Sequence, residues 1–191
     1  MNLTAPSTSN LNVPNALSSA RLILAIVVCF LVERHWFLAA LICFVVAAST
    51  DFLDGWWARK YEQVTKLGRI LDPFVDKTII CGAMIALVGV PGSGLAAWIA
   101  TLVVCRELLV TSLRGMIEGA GGDFSAKQLG KWKMVAQCAA VIAILLCLMQ
   151  ETPPIGLLWT RWASIWAAVV LTVLSGLEYV MVVVRSNATN S

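Results

Sequence analysis

Thr78–Cys105, TIICGAMIALVGVPGSGLAAWIATLVVC, carries no charged side chain and is broken once, by Pro91-Gly92-Ser93-Gly94. A helix that crosses a bilayer needs about 20 mostly apolar residues. An apolar run interrupted by such a cluster reads as two helices joined by a tight turn. Outward from this hairpin the same hydropathy recurs. Leu17–Leu31, Trp36–Leu53, Phe74–Val90, Leu95–Leu113, Met134–Met149 and Trp162–Val184 make six candidate spans. Several have an uncharged centre that reaches spanning length only where the helix continues into charged sequence at one end.

The composition agrees. Of 191 residues, 59% are hydrophobic and 13% charged, against about 25% charged in soluble proteins. So few charges cannot cover a water-exposed surface, and disordered chains are poor in apolar residues and rich in charge. A soluble domain and a disordered chain are both excluded. The sequence predicts an all-α membrane protein of six transmembrane helices, with a polar tail at residues 1–12, a six-helix domain at 13–185 and a C-terminal tail at 186–191. The first tail has neither the basic start nor the cleavage site of a signal peptide. The six cysteines lack metal-ligand spacing and read as small buried hydrophobes. No nucleic-acid partner is expected.

Lys and Arg are retained on the cytoplasmic side of a membrane. One set of connections and span ends carries Arg21, Arg59, Lys60, Lys66, Arg69, Lys77, Arg106, Arg114, Lys127, Lys131, Lys133 and Arg185; the other carries only Arg34 and Arg161. Both termini are therefore expected in the cytoplasm, together with any active site.

On that side, residues 51–76 read DFLDGWWARKYEQVTKLGRILDPFVD. Asp51, Asp54 and Ala58 share one helix face, and Gly68, Asp72 and Asp76 share a face of the next helix. A short connection makes the two helices neighbours, so four carboxylates can converge. Gathered beside a bilayer, four negative charges repel and are costly to desolvate. Hard divalent cations, Mg²⁺ or Mn²⁺, resolve the conflict and are commonly shared with substrate phosphates. Two such ions can clamp a displacement at phosphorus. Gly55 and Gly68 leave room for a phosphate ligand, and Arg59 offers a guanidinium suited to it. The plainer alternative pairs Asp51 and Asp54 with Arg59 and Lys77 as helix-end ion pairs. It does not explain two facing acidic stripes with both glycines and the arginine in place.

The pattern Asp51-x2-Asp54-Gly55-x2-Ala58-Arg59-x8-Gly68-x3-Asp72-x3-Asp76 resembles the signature of the CDP-alcohol phosphotransferases at every fixed position. The resemblance implies a six-span fold in which an alcohol attacks a CDP-linked substrate and CMP leaves. It further implies that Asp51, Asp54, Asp72 and Asp76 hold two divalent cations, with Asp76 as the base that takes the alcohol proton. Gly55, Ala58, Arg59 and Gly68 would line the CDP site. Thr65 either offers a hydroxyl to a CDP phosphate or is a plain loop residue. Asn15 either contacts the nucleotide or simply starts a helix.

Three further stretches resemble bacterial phosphatidylglycerophosphate synthases: Asn12–Arg21, Cys105–Arg114 and Gly130–Gln137. The chain departs from them at Asn15 and Met134, where threonine is usual. This resemblance implies CDP-diacylglycerol as donor, sn-glycerol 3-phosphate as acceptor, a homodimer and a place in the bacterial inner membrane. The cations point the same way. Arg106 and Arg114 lie eight residues apart, nearly on one helix face, and Lys131 opens the next span; together they suit the dianionic phosphate of an acceptor. Their alternative is ordinary anchoring at the membrane surface. Lys133 joins the candidate phosphate-binding set, with the alternative that, about 200° round the helix from Lys131, it snorkels to the headgroups. Glu107 either orients Arg106 or only neutralises it. Other acceptors would keep the chemistry, as in a cardiolipin synthase using phosphatidylglycerol or a phosphatidylinositol phosphate synthase. A cation transporter would use the four Asp as an ion path, but they cluster at one membrane face. A scaffold without activity leaves them unexplained.

Overall fold

The computed structural model describes residues 13–61, 66–119 and 128–189, with side chains for 19–50, 75, 77–115 and 128–181. Within them the chain forms six helices and no strand: α1 (Val13–Glu33), α2 (Phe37–Tyr61), α3 (Lys66–Val88), α4 (Ala97–Gly119), α5 (Gln128–Leu148) and α6 (Ile155–Thr189). Each outruns the apolar run that predicted it. α2 continues through Asp51 and Asp54, α3 begins eight residues before Phe74, and α5 begins six before Met134. In hydrocarbon the backbone N–H and C=O groups have only each other as partners. Helix therefore persists until charged side chains can reach water. By length and composition, Gln128–Leu148 and Ile155–Met181 can each cross a membrane.

The turns follow from local chemistry. α1 ends with His35 N–H donating to Val32 O at 3.0 Å and Trp36 N–H to Leu31 O at 2.9 Å. That pair of bonds closes a helix with a left-handed residue, here His35 at φ 58°. The α3–α4 turn falls on the Pro-Gly-Ser-Gly cluster, with Gly92 at φ 84° and Gly94 at φ 71°. Arg161, near the start of α6, crosses over this turn and donates to Gly92 O at 2.6 Å. At the other connection, Pro153 and Pro154 precede α6, whose Leu157 N–H donates to Pro154 O at 2.9 Å.

α1 packs on α2 and α3, α5 packs on α6 and α2, and α4 bridges α3 to α6. Their common core contains Val28 and Val32 of α1, Phe44 of α2, Met84 and Leu87 of α3, Val103 of α4, and Val141, Ile144 and Leu145 of α5, all fully buried. A buried polar contact between side chains crosses the α5–α6 seam, where Gln137 Nε2 donates to Thr172 Oγ1 at 3.0 Å. Both side chains are buried, so each supplies what the other would lack away from water.

The outside is apolar too. Ile23, Ile26 and Phe30 of α1, Leu38 and Ile42 of α2, Leu108 and Leu109 of α4, and Val170, Leu174 and Leu177 of α6 are exposed. Soluble monomers rarely expose contiguous apolar patches beyond a few hundred Å², whereas in a bilayer such faces meet their own kind. Trp98, Trp159, Trp162 and Trp166 form an exposed chain of rings with centroids 6.0–6.2 Å apart. The cysteines depart from expectation. Only Cys147 is buried, Cys105 is exposed, and Cys29, Cys43, Cys81 and Cys138 are half-buried. A thiol on an outward face costs little when the solvent is lipid.

At Gly94 a Cβ would stand 3.1 Å from Arg161 Cζ. Gly94→Ala meets both this contact and a positive φ, and should destabilise the protein by about 1–3 kcal/mol. A lower thermal midpoint in detergent, with the Gly89→Ala control unchanged, is the expected measurement.

Candidate active site

α3, α4, α5 and α6 bring charge together inside the helix bundle. The centre is Glu107 on α4. Its carboxylate accepts from Lys133 Nζ of α5 and from Arg106 Nη1, the latter at 3.3 Å to Oε1 and 3.4 Å to Oε2. All three residues are buried, with 3% of Glu107, 7% of Arg106 and 6% of Lys133 exposed. Charges so placed are stable only when paired and hydrogen-bonded. Two cations facing one carboxylate leave the trio with a net positive charge.

Arg106 is held on its other sides by α6. Its guanidinium lies over the ring of Tyr179, with Cζ 5.4 Å from the centroid, a distance at which the ring's π face attracts a cation. Its stem runs past Gly176, where an added Cβ would stand 3.4 Å from Arg106 Cγ. Arg106 Nε and Nη2 are buried and meet no acceptor among the described residues. Arg114, two turns on along α4, has its Nε in the same condition.

A second chain of bonds ties in α3. Lys77 Nζ donates to Thr111 Oγ1 at 2.6 Å, and Thr111 Oγ1 donates to the carbonyl of Glu107 at 2.7 Å. The turn of α3 that holds Lys77, and hence the backbone of Asp76, lies beside the turn of α4 that holds Glu107.

Arg106, Arg114, Lys131 and Lys133 do not all meet. Arg106 and Lys133 come together on Glu107, Arg114 is half-buried, and Lys131 is exposed. Of the two alternatives for Lys133, the outward reach to the headgroups is not what the structure has, since the residue is buried. It faces α4, and pairing with a buried carboxylate replaces the hydration that snorkelling would have kept. Asp51, Asp54, Gly55, Ala58 and Arg59 fall on the second half of α2, and Gly68, Asp72 and Asp76 on the first half of α3. Their side chains, and that of Asn15 in the first turn of α1, lie outside the described residues, as does Thr65 altogether. Tyr179 and Gly176 were missed by the sequence reading, which found in the sixth span only general hydrophobic character. A glycine and an aromatic ring in an apolar run carry no local signal that singles them out.

Lys133→Met leaves Glu107 buried with one cation instead of two. It should destabilise the fold by about 1–3 kcal/mol, since the buried carboxylate keeps Arg106 but loses a charged donor. Glu107→Gln added to Lys133→Met strands the buried Arg106 charge and should lower the thermal midpoint in detergent further.

Comparison with known proteins places this geometry. Residues 11–174 match the profile of the CDP-alcohol phosphatidyltransferases. A CDP-diacylglycerol–glycerol-3-phosphate 3-phosphatidyltransferase of Bacillus subtilis (strain 168) is 40% identical over 144 residues, which cover 74% of this chain and 72% of that protein. The protein of the same name from Escherichia coli (strain K12) is 33% identical over 174 residues, covering 88% and 92%. That of Pseudomonas fluorescens is 30% identical over 174 residues, covering 88% of each. With most of its length matched, and its helices arranged around a buried cationic cluster, the chain belongs to the CDP-alcohol phosphatidyltransferase family of membrane enzymes.

Proposed function

We propose that this protein transfers the phosphatidyl group of CDP-diacylglycerol to sn-glycerol 3-phosphate, forming phosphatidylglycerophosphate and releasing CMP in anionic phospholipid synthesis. The observation that carries the acceptor is Arg106, a buried guanidinium with Nε and Nη2 unmatched by any described acceptor and a second cation, Lys133, beside it. A dianionic phosphate is the chemistry such donors suit. The names of the relatives favour the same donor and acceptor.

In this reading the protein crosses the bilayer six times, with residues 13–185 as the catalytic domain, both termini in the cytoplasm and the enzyme a homodimer of the bacterial inner membrane. Asp51, Asp54, Asp72 and Asp76 offer only carboxylate oxygen, a donor set that fits Mg²⁺ or Mn²⁺ and suits softer metals poorly. When bound, such ions supply charge neutralisation at the pyrophosphate and on the departing CMP. Gly55, Ala58, Arg59 and Gly68, with Asn15 and Thr65, take the CDP moiety. Arg106, Arg114, Lys131 and Lys133 hold the acceptor phosphate, so that the hydroxyl approaches phosphorus in a fixed orientation. The Asp76 carboxylate accepts the hydroxyl proton as the new ester bond forms and the bond to CMP breaks. The acyl chains stay between helices in the bilayer.

CMP release by the purified protein from CDP-diacylglycerol should depend on glycerol 3-phosphate and stop with a chelator. Phosphatidylglycerol, inositol phosphate and serine should not substitute, and release that ignores glycerol 3-phosphate would refute the acceptor. Asp76→Asn should lower turnover by about 100-fold or more, the scale of general-base loss, with an unchanged thermal midpoint. Arg114→Ala should raise the KM for glycerol 3-phosphate about tenfold, the scale of one charge-assisted hydrogen bond, and leave that for CDP-diacylglycerol alone.

A further inference from the structure

We infer that Glu107 is a positioning residue for the acceptor site, one that decides which edge of the Arg106 guanidinium faces the ligand. The inference rests on the acceptor reading above and assigns a task to the carboxylate that Arg106 and Lys133 share.

Neighbouring residues of a helix point about 100° apart and do not face each other. For Arg106 to reach the carboxylate of the residue that follows it, its guanidinium must swing toward α5, where Glu107 meets Lys133. That contact uses Nη1. Tyr179 covers one face of the guanidinium and Gly176 accommodates the stem. What remains is the edge formed by Nε and Nη2, the two atoms that are buried without a described acceptor. Two parallel N–H donors on one edge match a phosphate or carboxylate bidentately. Glu107 also holds the ammonium of Lys133 against this arginine, although two buried cations would otherwise separate. Its own backbone is fixed in turn, since its carbonyl accepts from Thr111, which is bonded to Lys77 of α3.

A carboxylate that only neutralised Arg106 would act in the opposite direction. Its removal would leave one more uncompensated positive charge and draw a dianion in more tightly. A carboxylate that positions the donors must, on removal, weaken acceptor binding, because a misplacement of about 1 Å can cost on the order of 100-fold. The sign of the change separates the two roles.

The test is the kinetics of the full-length protein in detergent, with each substrate varied against saturating amounts of the other. Glu107→Gln should raise the KM for glycerol 3-phosphate about tenfold or more and leave the KM for CDP-diacylglycerol within about twofold. Glu107→Asp keeps the charge but draws it back by one methylene, and should raise the acceptor KM by a smaller factor. Should Glu107→Gln fail to fold, the same one-sided change in Glu107→Asp carries the test. Combined with Lys133→Met, Glu107→Gln should add less than its separate effect, because the two residues act through one contact. A lowered or unchanged acceptor KM in both single variants overturns the positioning role, as does an equal loss toward both substrates. If the wild-type protein itself shows no dependence on glycerol 3-phosphate, the acceptor reading fails and this inference falls with it; a dependent wild type with unaffected variants refutes the inference alone.

Discussion

A charge taken out of water has to be met by an opposite charge, and in this protein that demand is concentrated on Glu107. The carboxylate is shared by a lysine from α5 and an arginine from its own helix, all three nearly inaccessible to solvent. Arrangements of this kind contribute little net stability, since desolvation offsets most of the Coulomb attraction. Their consequence is directional. Once Lys133 and Arg106 share one anion, α4 and α5 have a fixed rotation relative to each other, and the Tyr179 ring fixes α6 against the same arginine.

The remainder of the architecture gives that cluster somewhere to be. The apolar core, to which all six helices contribute, excludes water from the middle of the bundle. Apolar residues on the outward faces let the same helices stand in lipid. Because helices run beyond their apolar centres, α3 carries its acidic stripe on the turns next to Lys77, and Lys77 is bonded to the α4 turn of Glu107. Acidic stripe and cationic cluster thus belong to one end of the bundle.

Much of this is readable from the chain. The Pro-Gly-Ser-Gly turn, the six helices and the acidic motif are local: periodicity, charge and turn residues act over a few positions. The direction of Lys133 is not local. Counting 200° from Lys131 says that the two lysines point apart, but not which of them points inward. Lys131 is exposed and Lys133 is buried on Glu107, because a partner 26 residues away on another helix waits on that side. Gly176 and Tyr179 were illegible alike, since a small residue and an aromatic ring in an apolar helix are ordinary until an arginine is known to lie across from them.

From its sequence alone this protein is a membrane-spanning helical chain with one acidic stripe in a recognisable spacing and a surplus of cations on one side. Those properties depend on hydropathy and on neighbours within a turn or two, so they survive without knowledge of packing. Tertiary structure alone decided which cation became part of the buried cluster, which edge of Arg106 has no acceptor among the described residues and which residues of α6 lie against it. Such choices are set by the rotation of each helix about its axis, and that rotation is determined only when all the helices pack together.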